Sequence, residues 1–205
     1  MFKCRHTAIV AAVLFSSFIS CNALAQVYAG GGIGSSNANV DCTGVTGCKI
    51  SSVSETVFAG YGFTPNWIIE GGYINLNKIA GTATGTYNQQ AVTADYTARS
   101  TAIDLSAVYR TDFERGWAVF AKLGLSRIKT ADTLNGTVGS VVAPATSVSN
   151  DSTSPVFGLG VDYKVTANTL VYLSVDRRRV KAYDANGIDL KFNVTNFGLG
   201  AQYSF

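Results

Sequence analysis

The feature that most constrains this chain is a strict period-two alternation in which one face holds large apolar side chains and the other glycine, serine and charge. At the end of the chain Phe197, Leu199, Ala201, Tyr203 and Phe205 fall on one face, while Asn196, Gly198, Gly200, Gln202 and Ser204 fall on the other. Phe157 to Tyr163 echoes Phe197 to Tyr203, and Ile103, Leu105, Ala107 and Tyr109 oppose Asp104, Ser106 and Arg110. Trp117, Val119, Ala121, Leu123 and Leu125 oppose Lys122, Gly124 and Ser126, and Val171, Leu173 and Val175 oppose Tyr172, Ser174 and Asp176. Such alternation marks strands with two different environments. No stretch after Gln26 has helical periodicity. Eight segments follow, near 26–35, 53–63, 67–77, 97–110, 117–129, 153–164, 169–181 and 189–205. Three connections are short (64–66, 111–116 and 165–168); those near 36–52, 78–96, 130–152 and 182–188 are longer, polar loops.

An even strand number, with tight turns at one end and long loops at the other, is the plan of a bacterial outer-membrane barrel. A soluble ligand-binding barrel has the same strand count but keeps its large apolar residues inside. Eight strands enclose room for modest side chains, so the Gly-rich face is expected inside and the large apolar face against lipid. Closure removes the edge strands that hydrocarbon does not tolerate. The fold expected is all-β, an eight-stranded antiparallel up-and-down transmembrane β-barrel over 26–205. Phe63, Trp67, Tyr109, Trp117, Tyr163 and Tyr203 lie beside the short turns, where an interfacial aromatic girdle belongs.

The same parity sorts the charges. Glu70, Asp104, Lys122, Asp162, Asp176 and Arg178 point inward, with Arg110 near the short-turn mouth. Buried charge is costly unless paired, so a plug of ion pairs is expected; a narrow ion path gated by breaking one pair is the alternative. Toward the long-loop end the outward parity reaches Arg99, Arg127, Lys129, Arg177, Arg179, Lys181 and Lys191, with no acid expected beside them. Charge is nearly free of cost at a membrane interface, and guanidinium forks suit phosphate. These residues are therefore a candidate lipopolysaccharide rim.

The first 25 residues have the form of a secretory signal peptide: Lys3 and Arg5, then an apolar and small stretch from Ala8 to Ile19, then Ala23-Leu24-Ala25 before a cut at Gln26. A weaker cut precedes Cys21. The apolar stretch is shorter than the about 20 residues a spanning helix needs. Loss of Lys3 and Arg5 leaves a nearly neutral chain from a formal net charge of +3, with no call for nucleic acid. Export would let Cys42 and Cys48 pair as a disulfide pinning the first long loop. The only histidine is His6, so the mature chain would lack the usual neutral-pH base. No enzyme, metal site or cofactor is expected. The run Gly30 to Gly34 lacks the lysine and the following helix of a phosphate loop.

The whole mature stretch resembles the outer membrane protein A-like family of small eight-stranded barrels. The resemblance rests on Val27-Tyr28-Ala29-Gly30-Gly31-Gly32-Ile33-Gly34, on Phe63-Thr64-Pro65-Asn66-Trp67 leading to Glu70-Gly71-Gly72-Tyr73, and on Gly198 to Phe205. The ending with Phe197, Tyr203 and Phe205 is similar to the insertion signal of such barrels, which implies the barrel-assembly machinery as a partner. No peptidoglycan-binding domain follows Phe205 in this sequence, so wall anchoring is not carried over. The resemblance implies a monomeric barrel in the bacterial outer membrane with both termini periplasmic, contacting membrane lipid and lipopolysaccharide. A structural, membrane-integrity role is expected. A surface adhesin that binds host surface molecules is the alternative, and a narrow gated pore the second.

Overall fold

The computed structural model describes residues 26–39, 45–87, 89–138, 141–183 and 189–205. Among the described residues there are nine strands: β1 (Gln26–Ala38), β2 (Val45–Lys49), β3 (Ser51–Gly62), β4 (Trp67–Tyr87), β5 (Gln90–Arg110), β6 (Trp117–Val138), β7 (Val141–Lys164), β8 (Thr169–Tyr183) and β9 (Asp189–Ser204). Eight of them close a ring by antiparallel neighbour pairing, from β1–β3 round through β4–β5 to β8–β9 and back by β1–β9. The ninth, β2, lies outside the ring and adds to the far end of β4, with Val45 opposite Ala83. It falls inside the stretch expected to be the first long loop.

Two other expected loops, 78–96 and 130–152, are largely strand over their described residues. The β4–β5 ladder runs on to Tyr87↔Gln90, and the β6–β7 ladder to Val138↔Val141. These hairpin arms are rich in Thr, Ala, Ser and Gly, so both faces are compatible with water and neither shows the apolar alternation used to find strands. Their backbone groups still pair, because an extended arm continues a ladder that already exists. The β7–β8 ladder stops earlier, at Val156↔Arg178. Pro155 stands one residue beyond that rung, where a missing N–H is compatible with a strand end or an edge.

The three tight connections lie at the opposite end. Val165 N–H donates to Thr169 O at 2.9 Å, and Trp67 N–H donates to the Thr64 hydroxyl at 2.9 Å. Glu114 and Trp117 exchange backbone bonds of 2.8 and 2.9 Å around Arg115 and Gly116, whose φ values of 51° and 88° suit a two-residue hairpin turn.

The outward face is as expected. Ile33, Val57, Ile103, Leu105, Leu123, Leu125, Phe157, Leu159, Leu173 and Phe197 are all exposed large apolar residues. The girdle aromatics also point out, Trp67 against Tyr109 at 5.1 Å between centroids and Trp117 against Tyr163 at 4.7 Å. The inward face corrects the expectation of small and charged residues alone. Tyr28, Ile68, Val108, Phe120 and Tyr172 are buried inside together with Phe58. A second buried set, Ala38, Ile74, Leu76, Ala102, Ile128, Val180 and Val194, packs with Phe192 toward the long-arm end.

Candidate functional site: a layered interior and a basic rim

Reading inward residues along each strand from the short-turn end reveals layers. On β4 the order is Ile68, Glu70, Gly72, Ile74; on β5 it is Val108, Ser106, Asp104, Ala102. On β6 it is Phe120, Lys122, Gly124, Ser126, Ile128, and on β8 Tyr172, Ser174, Asp176, Arg178, Val180. Glu70, Lys122, Asp104, Asp176 and Arg178 are thus held between two apolar layers, while Arg110 lies beyond Val108 toward the short turns.

The expected inward charges meet in pairs. Lys122 Nζ lies 2.5 Å from Glu70 Oε1, and the Tyr28 hydroxyl donates to Glu70 Oε2 at 2.7 Å. Arg178 Nη2 stands 3.2 Å from Asp104 Oδ2, and Arg110 Nε 2.6 Å from Asp162 Oδ2. Asp176 accepts from Ser174 Oγ at 3.3 Å and has Lys122 and Arg178 as its main favourable charges. Asp104 is therefore the ion-pair partner of Arg178, and it also lies close enough to Asp176 for the two carboxylates to act on each other electrostatically. Removing such charges from water is offset only when each finds a partner, and this arrangement meets that condition for six of the seven residues.

Of the interior aromatics the sequence reading put only Tyr172 on the inward parity, and the signal that locates the others is glycine. A Cβ at Gly60 would collide with the Tyr28 ring, one at Gly160 with Phe120, and one at Gly32 or Gly200 with the Tyr172 hydroxyl. Gly60, Gly160 and Gly200 thus sit opposite inward rings on neighbouring strands, and Gly32 lies one strand beyond Gly200. Beside these rings lies a cavity of about 40 Å³ lined by Glu70, Lys122, Asp162, Tyr172 and Asp176. That suits about three water molecules.

At the long-arm end Arg99, Arg127, Lys129, Arg177 and Arg179 are exposed on the outer face. Lys181 and Lys191 occupy opposite rungs of β8 and β9. Their side chains lie outside the described residues. The expectation that no acid accompanies the rim is corrected at two places. Asp151 is outward because β7 starts earlier than expected, and its Oδ2 lies 3.4 Å from Arg127 Nη2. Glu55 is outward on β3 and accepts from Asn75 Nδ2 at 3.4 Å. Cys42 and the signal segment lie outside the described residues, and of Cys48 only its place in β2 is described. Phe197, Tyr203 and Phe205 are all exposed on the outer face, with Tyr203 and Phe205 edge to face at 5.3 Å.

Comparison with known proteins agrees with this architecture. Ail, the attachment invasion locus protein of Yersinia pestis, matches over 89% of this chain and 100% of its own at 14% identity, with a TM-score of 0.51. Neisserial surface protein A matches over 88% and 97% at 15% identity, TM-score 0.51. A major outer membrane protein of Thermus thermophilus matches over 88% and 99% at 14% identity, TM-score 0.51. Identities this low show a common fold and no more. No curated protein matches the chain. The sequence pattern of the outer membrane protein beta-barrel domain matches residues 8–205, and the chain belongs to that family of bacterial outer-membrane barrels.

Proposed function

We propose that this protein is a sealed, non-catalytic barrel that contributes to the integrity of the outer membrane and presents its long arms outside the cell. The observation that carries this reading is the apolar layer above the ion pairs, where Ile128 and Val180 are each 0% exposed and Ile74 and Leu76 4%. An ion entering from the arm end would have to leave its hydration shell in a packed hydrocarbon layer, which is costly. In this reading residues 1–25 are removed as a signal peptide, and both termini and the short turns face the periplasm. The barrel-assembly machinery recognises the strand ending in Phe197, Tyr203 and Phe205, and Cys42 and Cys48 are oxidised in the exported chain. The protein works as a monomer without a cofactor, and the outward cations contact lipopolysaccharide.

Planar-bilayer recording tests the seal. No steady conductance is expected from the wild type. Steady channels that change on Lys122→Ala would establish the gated-pore reading instead. A second reading, a surface adhesin, is favoured by the two hairpin arms formed by β4–β5 and β6–β7, which offer a firm surface beyond the barrel. The similar fold of Ail, a protein solved with the heparin analogue sucrose octasulfate, makes polyanionic host surface molecules the first partners to try. Binding to host cells that disappears when both arms are shortened would favour this second reading.

A further inference from the structure

A register break in β4 assembles a cationic cluster that strand parity alone does not reveal. Asn75 pairs with Thr101, but the next rung is Lys78 with Arg99, so β4 holds one extra residue there. Asn77 takes a φ of 56°, its N–H donates to Asn75 Oδ1 at 3.2 Å, and its side-chain amide donates to Val53 O at 2.8 Å. A bulge of this kind re-aims the residues that follow it. Leu76 is buried inside, and two residues later Lys78 is exposed outside, where uninterrupted alternation would have put it inside.

The bulge sets Lys78 directly across from Arg99. On the next strand Lys129 faces Thr101 and Arg127 faces Ile103. Four outward cations therefore occupy three adjacent strands about 4.8 Å apart. Like charges directly opposed across a ladder are destabilising. Among the described residues no carboxylate lies within 4.0 Å of the Lys78, Arg99 or Lys129 nitrogens. Of the acids at the border, Glu55 bonds with Asn75 and Asp95 with the Thr82 hydroxyl at 2.6 Å, while Asp151, directly across the ladder from Lys129, bonds Arg127 within the cluster. On the same face Ile103 stands beside Arg127 and Leu125 two residues below it, 62% and 60% exposed. The cations thus begin where the apolar belt ends.

We propose that Lys78, Arg99, Arg127 and Lys129 form one site for the phosphate groups of an anionic outer-leaflet lipid. The site deepens the rim contact proposed above and rests on the barrel spanning the outer membrane. Continuity with the apolar belt selects a lipid-borne phosphate over a free one, because the acyl chains of the same molecule can lie against Ile103 and Leu125. A bridging phosphate also relieves the Lys78–Arg99 opposition, and the arginines can grip it bidentately. Asp151 competes for Arg127, so it weakens the site without belonging to it.

The experiment titrates detergent-folded wild type with lipopolysaccharide, dephosphorylated lipopolysaccharide and inorganic phosphate, with a heat-dependent gel shift reporting a folded barrel. The paired change Lys78→Gln and Arg99→Gln is expected to weaken lipopolysaccharide binding about tenfold or more. Asp151→Asn should strengthen it, and Lys164→Gln, an exposed cation at the short-turn end of β7, should leave it unchanged. Wild-type affinity in the Lys78/Arg99 variant overturns the site, as does equal binding of the dephosphorylated lipid. Inorganic phosphate binding as tightly as the lipid would make this a free-phosphate site and also overturn the proposal. A wild type that shows no heat-dependent shift would instead refute the membrane-barrel reading on which the site depends.

Discussion

Tyr28 and Gly60 show what a narrow barrel demands of single residues. A Cβ on Gly60 would stand within the Tyr28 ring, whereas nothing lies within 4 Å of a Cβ built on Gly71, which faces outward. Gly60→Val is therefore expected to destabilise the folded barrel by about 1–3 kcal/mol through overpacking, while Gly71→Ala stays within about 0.5 kcal/mol. Urea unfolding in lipid vesicles measures both, and Tyr28→Leu should partly rescue Gly60→Val. The inward glycines were legible from alternation alone. The rings other than Tyr172 were not, because Tyr28, Phe58 and Phe120 share the parity of the glycines yet carry bulk that a small interior was expected to refuse. Room for each ring comes from a glycine on a neighbouring strand, and sequence order does not display that neighbour. Tyr96, in the β5 arm beyond the rim, gives a second residue-level test. Burial, reinforced by its 2.7 Å hydrogen bond to Asp132, pushes its phenol above the ordinary value of about 10. The neutral phenol is the form the fold favours. The associated stability should be present below pH 10 and be lost as the pH rises through the native value. Difference absorbance between wild type and Tyr96→Phe should show this phenol still protonated where exposed tyrosines have ionised.

At the scale of elements, the eight ring strands were legible because each crosses from one chemistry to another with every residue. Their short-turn ends agree with the structure to within a residue at Gly62, Trp67, Arg110, Trp117, Lys164 and Thr169. The long-arm ends do not agree, since the signal fades where both faces meet water. Thr82 to Tyr87 and Val141 to Asn150 have no apolar alternation to read, yet they pair by extending an existing ladder. The bulge at Asn77 was hidden for a related reason: one extra residue reverses parity without altering composition. Its left-handed φ is tolerable for asparagine and poor for a β-branched residue. Asn77→Gly should leave stability nearly unchanged. Asn77→Val is expected to cost about 1–2 kcal/mol, and urea unfolding of the two variants side by side checks the difference.

For the whole molecule, the relevant balance is between the charged layer and the apolar layers that enclose it. Among the described residues on the short-turn side of Ile128 and Val180, the interior holds the acids Glu70, Asp104, Asp162 and Asp176 against the bases Arg110, Lys122 and Arg178; the further buried acid, Asp132, lies in the β6 arm. Lys122 is central to that balance, because it pairs with Glu70 and also offsets Asp176. Lys122→Met should therefore leave buried carboxylate without compensation and destabilise the barrel by about 3–5 kcal/mol. Adding Glu70→Gln removes the stranded charge and keeps an acceptor for the Tyr28 hydroxyl, so the double variant should regain most of the loss. Urea unfolding followed by tryptophan fluorescence gives these stabilities in vesicles. Bilayer current on the same samples reads the seal separately. If the apolar layer of Ile74, Leu76, Ile128 and Val180 closes the interior, the Lys122→Met barrel is weaker yet still silent. Ile128→Ala with Val180→Ala is then the change that admits ions. Current through Lys122→Met with an intact apolar layer would transfer the closing role to the ion pairs and make the charged layer a gate.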